Sequence, residues 1–253
     1  MAWWRLGSKR RIAYGVRSDT GLVRAENEDA YGRFPGHASP EADEQLFIVA
    51  DGMGGHSRGR EASRAAVHVV SQTYFSCGGR PAGERLRRAF EAANRSIYQR
   101  ARQDGRSDAM GTTCTVLALT SGQIHMAHVG DSRAYRINRR GVEQLTRDHT
   151  MVEELRREGV LTDLEAREHP QRSALLRAVG IDPDLETDVW RAGSVQRGDC
   201  YLLCTDGLAD VADAEMQRNV LTGTPQRACD MLVGAANDRG GYDNVTVMVI
   251  RVD

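Results

Sequence analysis

Residues 113–145 read TCTVLALTSGQIHMAHVGDSRAYRINRRGVEQL, and the fold class follows from this run. Apolar, β-branched stretches of strand length alternate in it with short breaks, and Ser121-Gly122 and Arg140-Gly141 are turn dipeptides. Strands joined by such short turns pair in antiparallel fashion, because a parallel pair needs a long crossover. We therefore predict an antiparallel meander over this stretch.

Further elements are predicted on both sides of the meander. Apolar runs of strand length that end at turn residues occur at 46–50, 201–204 and 245–250. Helical periodicity occurs over 58–76, 82–104, 149–158 and 225–237. Groups of strands with helices between them indicate the α+β class, in which helices pack over antiparallel sheets.

The composition argues against several mechanisms. Lys9 is the one lysine among 34 basic residues, and it lies in no P-loop or kinase lysine motif. The formal net charge of −1 argues against a general nucleic-acid binder. No apolar run approaches the roughly 18 residues of a membrane helix, and the N-terminus lacks the apolar region of a secretory signal. The 35 acidic residues point instead to carboxylate- or metal-centred chemistry.

The five cysteines predict a reducing compartment. Their number is odd and no C-x-x-C pair occurs, which argues against a disulfide framework and a zinc ribbon. Several stand inside apolar runs, as small buried hydrophobic residues do. We therefore expect a cytoplasmic protein.

Acidic residues recur at the ends of the predicted strands. Three follow a strand, one precedes the last strand and a pair stands near the N-terminus: Asp51, Asp131, Asp206, Asp243 and Glu28-Asp29. A carboxylate at the end of a buried strand is costly unless it is paired or metal-bound, and no lysine is nearby. All-oxygen sites suit Mg²⁺, Mn²⁺ or Ca²⁺, and the lack of an EF-hand loop disfavours calcium. Shared carboxylates indicate two-metal hydrolysis, whose usual substrates are phosphate esters.

Seven segments in order resemble those of the metal-dependent serine/threonine protein phosphatases (the PPM family, type 2C) in their short bacterial form. They are RAENEDA (24–30), VADGMGG (49–55), GTT (111–113), VGDSR (129–133), LTRDH (145–149), CTDGL (204–208) and DN (243–244). The resemblance covers roughly 11–251. It implies a four-layer α-β-β-α sandwich, in which helix pairs flank a central antiparallel β-sandwich and the metal centre lies at one edge between the sheets.

The resemblance also implies a set of ligands for two or three Mn²⁺ or Mg²⁺ ions. Asp51 would bridge two ions, and Gly52 would offer its carbonyl oxygen to one of them. Asp206 and Asp243 would complete the protein ligands of the other ion. Asp131, together with Asp206, would bind the weaker third ion.

Three further residues take roles by the same resemblance. Glu28 and Asp29 match the acidic pair that holds metal-bound water or supports the ligands. Arg24 matches the phosphate-binding arginine, whose guanidinium can grip two phosphate oxygens. Phosphoserine and phosphothreonine would be hydrolysed by a metal-bridging hydroxide held through Asp51, without a covalent intermediate.

Two segments depart from the family pattern or vary in it. Met53 stands where eukaryotic members carry a histidine proposed as general acid; His56 or metal-bound water could supply that proton instead. Residues 146–190 resemble the flap beside the metal site. Its Thr146-x-Asp148-His149 start and His169-Pro170 are interpreted as structural features that shape the substrate groove.

Two other functions remain open at this point. Gly55-His-Ser-Arg-Gly59 matches the nucleophile elbow of esterases, with Ser57 as nucleophile, although Asp51–His56 separates it from its strand. A phosphatase-like regulator could bind phosphoproteins without turnover, although its intact carboxylates argue against this. His125 and His128 have an odd spacing on a strand and therefore face opposite sides, which disfavours a shared metal.

The expected organisation is one catalytic domain over 1–253, with 1–10 as an N-terminal extension. Trp3-Trp4 and the basic residues around them could touch a membrane or a partner, but an ordinary extension is the simpler interpretation. Phosphorylated proteins are the expected partners, among them a cognate Ser/Thr kinase or its targets. We expect a monomer with no nucleic-acid partner and no transmembrane segment.

Overall fold

Antiparallel strands form the centre of the protein. The computed structural model describes residues 11–35, 44–54, 57–103, 110–209, 211 and 213–253. Within these residues the strands are, in chain order, β1 (Ile12–Asp19), β2 (Ala30–Phe34), β3 (Glu44–Ala50), β4 (Gly52–Met53), β5 (Gly111–Thr112), β6 (Cys114–Thr120), β7 (Gln123–Val129), β8 (Arg133–Asn138), β9 (Gly141–Gln144), β10 (Asp188–Ser194), β11 (Cys200–Cys204) and β12 (Val245–Val252). The α-helices are α1 (Ser57–Ser76), α2 (Ala82–Gln103), α3 (Met151–Arg157), α4 (Asp163–Glu168), α5 (Asp213–Leu221) and α6 (Pro225–Asp238).

The strands form two five-stranded sheets and one small ribbon. The first sheet has the order β1-β12-β11-β8-β9, and the second has the order β10-β7-β6-β3-β2. All pairs in both sheets are antiparallel, as predicted. Strands β4 and β5 pair separately, directly after β3 and before β6. This ribbon lies beside the predicted metal centre.

Three buried clusters show that the layers are stacked as the family resemblance implies. Phe47 and Leu117 of the second sheet pack with Leu203 and Met248 of the first sheet, which fills the space between the sheets. Helices α1 and α2 bury a separate cluster against the second sheet. Helix α6 and part of α5 bury a third cluster against the first sheet. The order of layers is therefore α-β-β-α, and the predicted fold is confirmed.

The predicted meander proves to be two hairpins in two different sheets. Strands β6 and β7 pair in the second sheet, whereas β8 and β9 pair in the first. The chain crosses between the sheets at Gly130, whose φ of +107° disfavours residues with a Cβ. A Cβ at Gly130 would also lie 2.6 Å from the Thr113 side chain. The crossing carries Asp131 to the edge of the sandwich, where both sheets end.

The predicted helices agree with α1, α2, α3 and α6 to within two residues in the described part of the chain. Helices α4 and α5 were not predicted. Helix α4 is only six residues long and is held by a capping box, in which Thr162 and Glu165 exchange hydrogen bonds. Among the described residues, no helix is long and apolar enough to cross a membrane. The predicted extension at 1–10, with Trp3-Trp4, lies outside the described residues.

Candidate metal centre

The backbone of Asp51 is held from both sides where β3 ends. Its N–H donates to Oγ1 of Thr113 over 2.9 Å. Its carbonyl oxygen accepts from the Thr113 N–H and from Thr112 Oγ1, both at 2.8 Å. Residues 112–113 therefore set the position from which the Asp51 side chain leaves the sheet.

Five aspartates from distant parts of the chain lie within electrostatic reach of one another. The pKa of Asp51 is raised well above its ordinary value, first by burial and then by the carboxylates of Asp29, Asp206, Asp131 and Asp243. All five belong to the acidic residues that recur near the predicted strands in the sequence. One edge of the sandwich therefore concentrates negative charge that a cation or protons must neutralise.

Burial and like charge also affect the neighbouring acids. Burial raises the pKa of Asp29 to about 7, and the charge of Asp206 contributes to this shift. Burial, followed by the charge of Asp206, raises the pKa of Asp131 to about 8. The pKa of Asp206 is raised by burial and by Asp243, and that of Glu28 is raised mainly by burial. An environment that opposes ionisation of several carboxyls together suits a cation.

Three carboxylate oxygens are left without a partner in this cluster. Oε1 of Glu28, Oδ1 of Asp29 and Oδ1 of Asp206 are buried and have no hydrogen-bond partner in the part of the chain that the structure describes. Buried oxygens of this kind are rarely left unpaired. Among the same residues, however, no three His, Cys, Asp or Glu side chains are arranged so as to hold an ion as they stand. Carboxylate oxygens are suitable ligands for hard cations, although in this arrangement the described side chains do not surround an ion.

Asn244 connects the two loops that carry Glu28 and Asp243. Its Oδ1 accepts the Glu28 N–H over 2.8 Å. Its Nδ2 donates to the carbonyl oxygens of Thr20 and Glu26 over 2.9 and 3.0 Å. This role of Asn244 was not predicted from the sequence, although its position directly after a predicted ligand was a signal.

Two threonines hold Asp29 in a fixed position. Oδ2 of Asp29 accepts from Thr205 Oγ1 over 2.9 Å and from Thr246 Oγ1 over 2.6 Å. Thr205 precedes Asp206, and Thr246 belongs to the neighbouring strand β12. Neither threonine was predicted from the sequence, because only the fold brings them within reach of an acid far away in the sequence.

Gly52 is the point at which helix α1 approaches the metal centre. A Cβ at Gly52 would lie 2.1 Å from the Gly59 carbonyl oxygen and 2.7 Å from the Glu28 carbonyl oxygen. A Cβ at Gly59 would in turn lie 2.9 Å from Cδ of Glu28. The two glycines therefore permit a backbone contact that no larger residue allows. The Glu28 carbonyl oxygen is also bound by Ser63 of α1, over 2.6 Å.

Arg24 pairs with one of the predicted metal ligands. Its Nη2 lies 2.7 Å from Oδ2 of Asp243, and more than half of the arginine side chain is exposed. This contact raises the pKa of Arg24, with smaller contributions from the charges of Asp206 and Asp51. The predicted phosphate-binding arginine therefore lies at the mouth of the acidic cluster, with part of its guanidinium open to solvent.

The flap begins with residues that bind the neighbouring strands. Asp148 accepts from Arg133 of β8, with Nη2 and Oδ2 2.6 Å apart and Nε close to both carboxylate oxygens. Nδ1 of His149 accepts the Gly130 N–H over 3.2 Å. The rings of His149 and His128 lie 4.8 Å apart. These contacts agree with the structural interpretation of the flap start.

Several remaining sequence hypotheses can be compared with the structure. His128 is buried and bonded to Thr115, whereas His125 is only partly buried, so the two do not form a shared site. The antiparallel sheets do not match the largely parallel sheet that an esterase elbow requires. The side chain of Ser57, and His56, lie outside the described residues. Met53 belongs to β4 and carries no ionisable group.

Comparison with known proteins agrees with this fold. The family model described as Protein phosphatase 2C matches residues 24–232. The serine/threonine phosphatase stp of Listeria monocytogenes is 34% identical over 243 residues, which is 94% of each chain. The serine/threonine protein phosphatase PstP of Mycobacterium tuberculosis is 36% identical over 245 residues, which is 95% of this chain and 45% of PstP.

Solved structures show the same architecture. The crystal structure of serine/threonine phosphatase Stp1 from Staphylococcus aureus superimposes with a TM-score of 0.87 at 32% identity over the full length of both chains. The catalytic domain of PstP in complex with 2 manganese ions has a TM-score of 0.84 at 32% identity, covering 96% of this chain and 99% of that one. The chain therefore belongs to the protein phosphatase 2C family and is a metal-dependent serine/threonine protein phosphatase.

Proposed function

We propose that the acidic cluster at the edge of the sandwich is the metal centre of this phosphatase, and that it holds Mn²⁺ or Mg²⁺ ions. The observation that carries the proposal is the convergence of five aspartates with three buried, unpartnered carboxylate oxygens among the described residues. Like charges held this closely repel one another. The residues of this cluster would hold a cation, whose positive charge would offset the repulsion.

The proposed ligand set has two main ions and a weaker third. Asp51 would be a ligand of both main ions, and the Gly52 carbonyl oxygen would bind one of them. Asp206 and Asp243 would complete the protein ligands of the other, and Asp131 would join Asp206 at the third. This assignment is supported by the raised pKa values of Asp51, Asp131 and Asp206, which follow from burial and from the charges of neighbouring aspartates.

Glu28 and Asp29 support the ligands and the water around them. The unpartnered oxygens Oε1 of Glu28 and Oδ1 of Asp29 are free to accept hydrogen bonds from such water. The other oxygen of Asp29 is occupied by Thr205 and Thr246, which hold the carboxylate in place. Bound cations of this class activate water for attack on phosphorus and neutralise charge on the phosphate.

Arg24 binds the phosphate group of the substrate. In the structure its guanidinium pairs with Asp243, whose negative charge would be shared with a bound cation. More than half of the Arg24 side chain is exposed, so the part of the guanidinium that does not contact Asp243 can donate to phosphate oxygens. The planar fork of arginine suits two phosphate oxygens at once. Arg24 therefore orients the phosphoserine or phosphothreonine group against the metal centre.

We further propose that the chain is one catalytic domain, acts as a monomer in the cytoplasm, and opposes a Ser/Thr kinase. The described cysteines are all free, and four of the five are buried, which suits a reducing compartment. Phosphoproteins are its substrates because it is a protein phosphatase. The kinase that phosphorylates them, or its targets, is the expected partner.

Three substitutions test the metal centre. Asp51→Asn, Asp206→Asn and Asp243→Asn should each lower manganese-dependent hydrolysis of a phosphothreonine peptide by more than about 100-fold, because even partners outside the ligand shell change activity by 10–100-fold. Thermal unfolding should show that all three variants fold. Asp184→Asn makes the same chemical change at an exposed position and should behave like wild type.

Two other outcomes would each identify one of the competing functions. Full activity in EDTA, or a loss confined to Ser57→Ala, would identify the esterase instead. Folded protein that binds phosphopeptides but hydrolyses none of them with Mn²⁺ would identify the non-catalytic phosphoprotein-binding regulator.

A further inference from the structure

Three large apolar side chains are exposed beside the proposed phosphate site. The exposed fractions are 69% for Leu22, 64% for Val23 and 70% for Tyr242. Single exposed apolar residues are common on protein surfaces, but a group of them beside a binding site marks an interaction surface. We call these three residues the apolar rim.

The two loops that carry the apolar rim are bonded to each other. The Leu22 N–H donates to the Gly241 carbonyl oxygen over 2.8 Å. A Cβ at Gly241 would lie 2.9 Å from Cγ of Leu22, so that side chain packs on the glycine backbone. A Cβ at Gly240 would similarly lie 2.5 Å from the ring of Tyr242. Leu22 and Tyr242 therefore both pack on the backbone of Gly240-Gly241, and Val23 directly follows Leu22 in the chain.

The turn that leads into Leu22 is also bonded to helix α6. Oδ1 of Asp19 accepts the Gly21 N–H over 3.0 Å and a hydrogen bond from Asn237 Nδ2 over 3.3 Å. Asn237 stands in the last turn of α6. The exposed side chains are thus presented by backbone bonded to a helix and a strand, rather than by an unsupported loop.

The chain places this surface directly beside the phosphate site. Val23 precedes Arg24, and Tyr242 precedes Asp243. Nη2 of Arg24 lies 2.7 Å from Oδ2 of Asp243, so both loops reach the mouth of the acidic cluster together. Any phosphorylated chain whose phosphate contacts Arg24 must run past this mouth.

Chain dimensions set which residues of a bound substrate can contact the apolar rim. Leu22 is two residues from Arg24, a span of at most about 7 Å between Cα atoms. An extended substrate advances about 3.3 Å per residue. The surface is therefore within reach of the first two or three residues on one side of the phosphorylated residue.

We infer that the apolar rim binds a large apolar side chain of the phosphoprotein substrate, one to three residues away from the phosphoserine or phosphothreonine. The inference rests on the proposed function, because it places the phosphate at Arg24. Burial of an apolar substrate side chain against Leu22 and Tyr242 adds affinity that a polar side chain at the same position cannot supply. The rim then selects among phosphorylated sites that the metal centre would otherwise treat alike.

Three phosphothreonine peptides test this inference with the full-length protein and Mn²⁺. One carries Leu at the three positions before the phosphothreonine, one carries Leu at the three positions after it, and one carries Gln at all six. We expect one of the two Leu peptides to be hydrolysed with a kcat/KM about tenfold above that of the Gln peptide, the size of effect that one apolar contact produces.

The variant Leu22→Gln/Tyr242→Gln should reduce this Leu/Gln ratio to about one. The ratio is measured within each variant, so any change in the catalytic centre cancels. Met231→Gln is the matched control, because Met231 is also half exposed but lies on α6 away from the acidic cluster, and it should keep the wild-type ratio. Thermal unfolding confirms that the variants are folded.

The results that would contradict this inference differ from the result that would contradict the proposed function. A ratio of about one for both Leu peptides in the wild type, or an unchanged ratio in the double variant, would overturn the inference. A double variant that changes only the sedimentation coefficient would assign the surface to a second copy of the chain and likewise overturn it. Absence of manganese-dependent phosphate release from all three peptides would overturn the proposed function itself.

Discussion

Asn244→Ala tests whether the loop that carries Glu28 is held by a single buried amide. Asn244 is 5% exposed, and its side chain makes three hydrogen bonds. It accepts from the Glu28 N–H and donates to the carbonyl oxygens of Thr20 and Glu26, all within 3.0 Å. Alanine removes all three bonds and leaves three backbone groups without this partner.

The expected loss of stability follows from these bonds. At about 1 kcal/mol each, three hydrogen bonds contribute about 3 kcal/mol to the free energy of unfolding. A further penalty for unpaired groups is not added, because Thr20 is partly exposed and Glu26 is exposed, so water can reach their carbonyl oxygens. Glu28 also loses its backbone anchor, so the manganese concentration for half-maximal activity should rise about tenfold.

Urea unfolding in EDTA measures the first effect, and manganese titration of phosphopeptide hydrolysis measures the second. The control is Asn138→Ala, whose Oδ1 accepts one N–H from Arg140 in the exposed β8–β9 turn. That change should cost less than about 0.5 kcal/mol, as surface substitutions usually do. A loss below about 1 kcal/mol for Asn244→Ala, or one equal to the control, would refute the reasoning, because the bonds would then contribute no more than a surface contact.

Three further predictions follow from contacts at the same edge. Gly52→Ala should lower the free energy of unfolding by about 3 kcal/mol in urea unfolding, because its Cβ would lie 2.1 Å from the Gly59 carbonyl oxygen; a wild-type urea midpoint would contradict this. Burial raises the pKa of Asp131 to about 8, so in EDTA its ionisation should destabilise the fold as pH rises from about 4 to 8. Urea midpoints should therefore fall less steeply over this range for Asp131→Asn than for wild type, and parallel curves would argue against the shift. Arg133→Ala should lower the free energy of unfolding by about 3 kcal/mol, because it leaves the largely buried Asp148 without its ionic partner, while Arg133→Lys should recover part of that loss in the same assay. Equal stability of the Ala and Lys variants would contradict a contribution from the ion pair.

Much of the fold and of the acidic cluster was predictable from local patterns. The turn dipeptides and apolar runs predicted antiparallel pairing, and the helical periodicity over 82–104 predicted α2, whose Leu86, Phe90 and Ile97 are buried. The strand-end acids were found because a carboxylate there has a high desolvation cost unless it has a partner. Each of these patterns can be recognised within a single segment of the sequence, without knowledge of the fold.

The supporting residues were harder to predict, because their roles depend on distant partners. Thr246 is 217 residues from Asp29 in the sequence, and Asn244 is 216 residues from Glu28. A threonine on a strand or an asparagine in a turn is locally ordinary. The meander prediction was wrong about strands β7 and β8 for the same reason, since local turn signals do not say in which sheet the next strand will pair.

The order of the residues alone was thus enough to establish an antiparallel α+β chain with one acidic edge and, through its seven segments, the expected family. Periodicity, turn chemistry and the cost of a buried carboxylate are local properties that the linear chain already contains. The tertiary structure decided the rest. Pairing of β1 with β12 brings together the loop after β1 and the loop before β12, which joins Arg24 to Asp243, allows the Asn244 hydrogen bonds and leaves the apolar rim exposed beside them. These contacts join segments more than 200 residues apart, so they exist only once the first and last strands have paired.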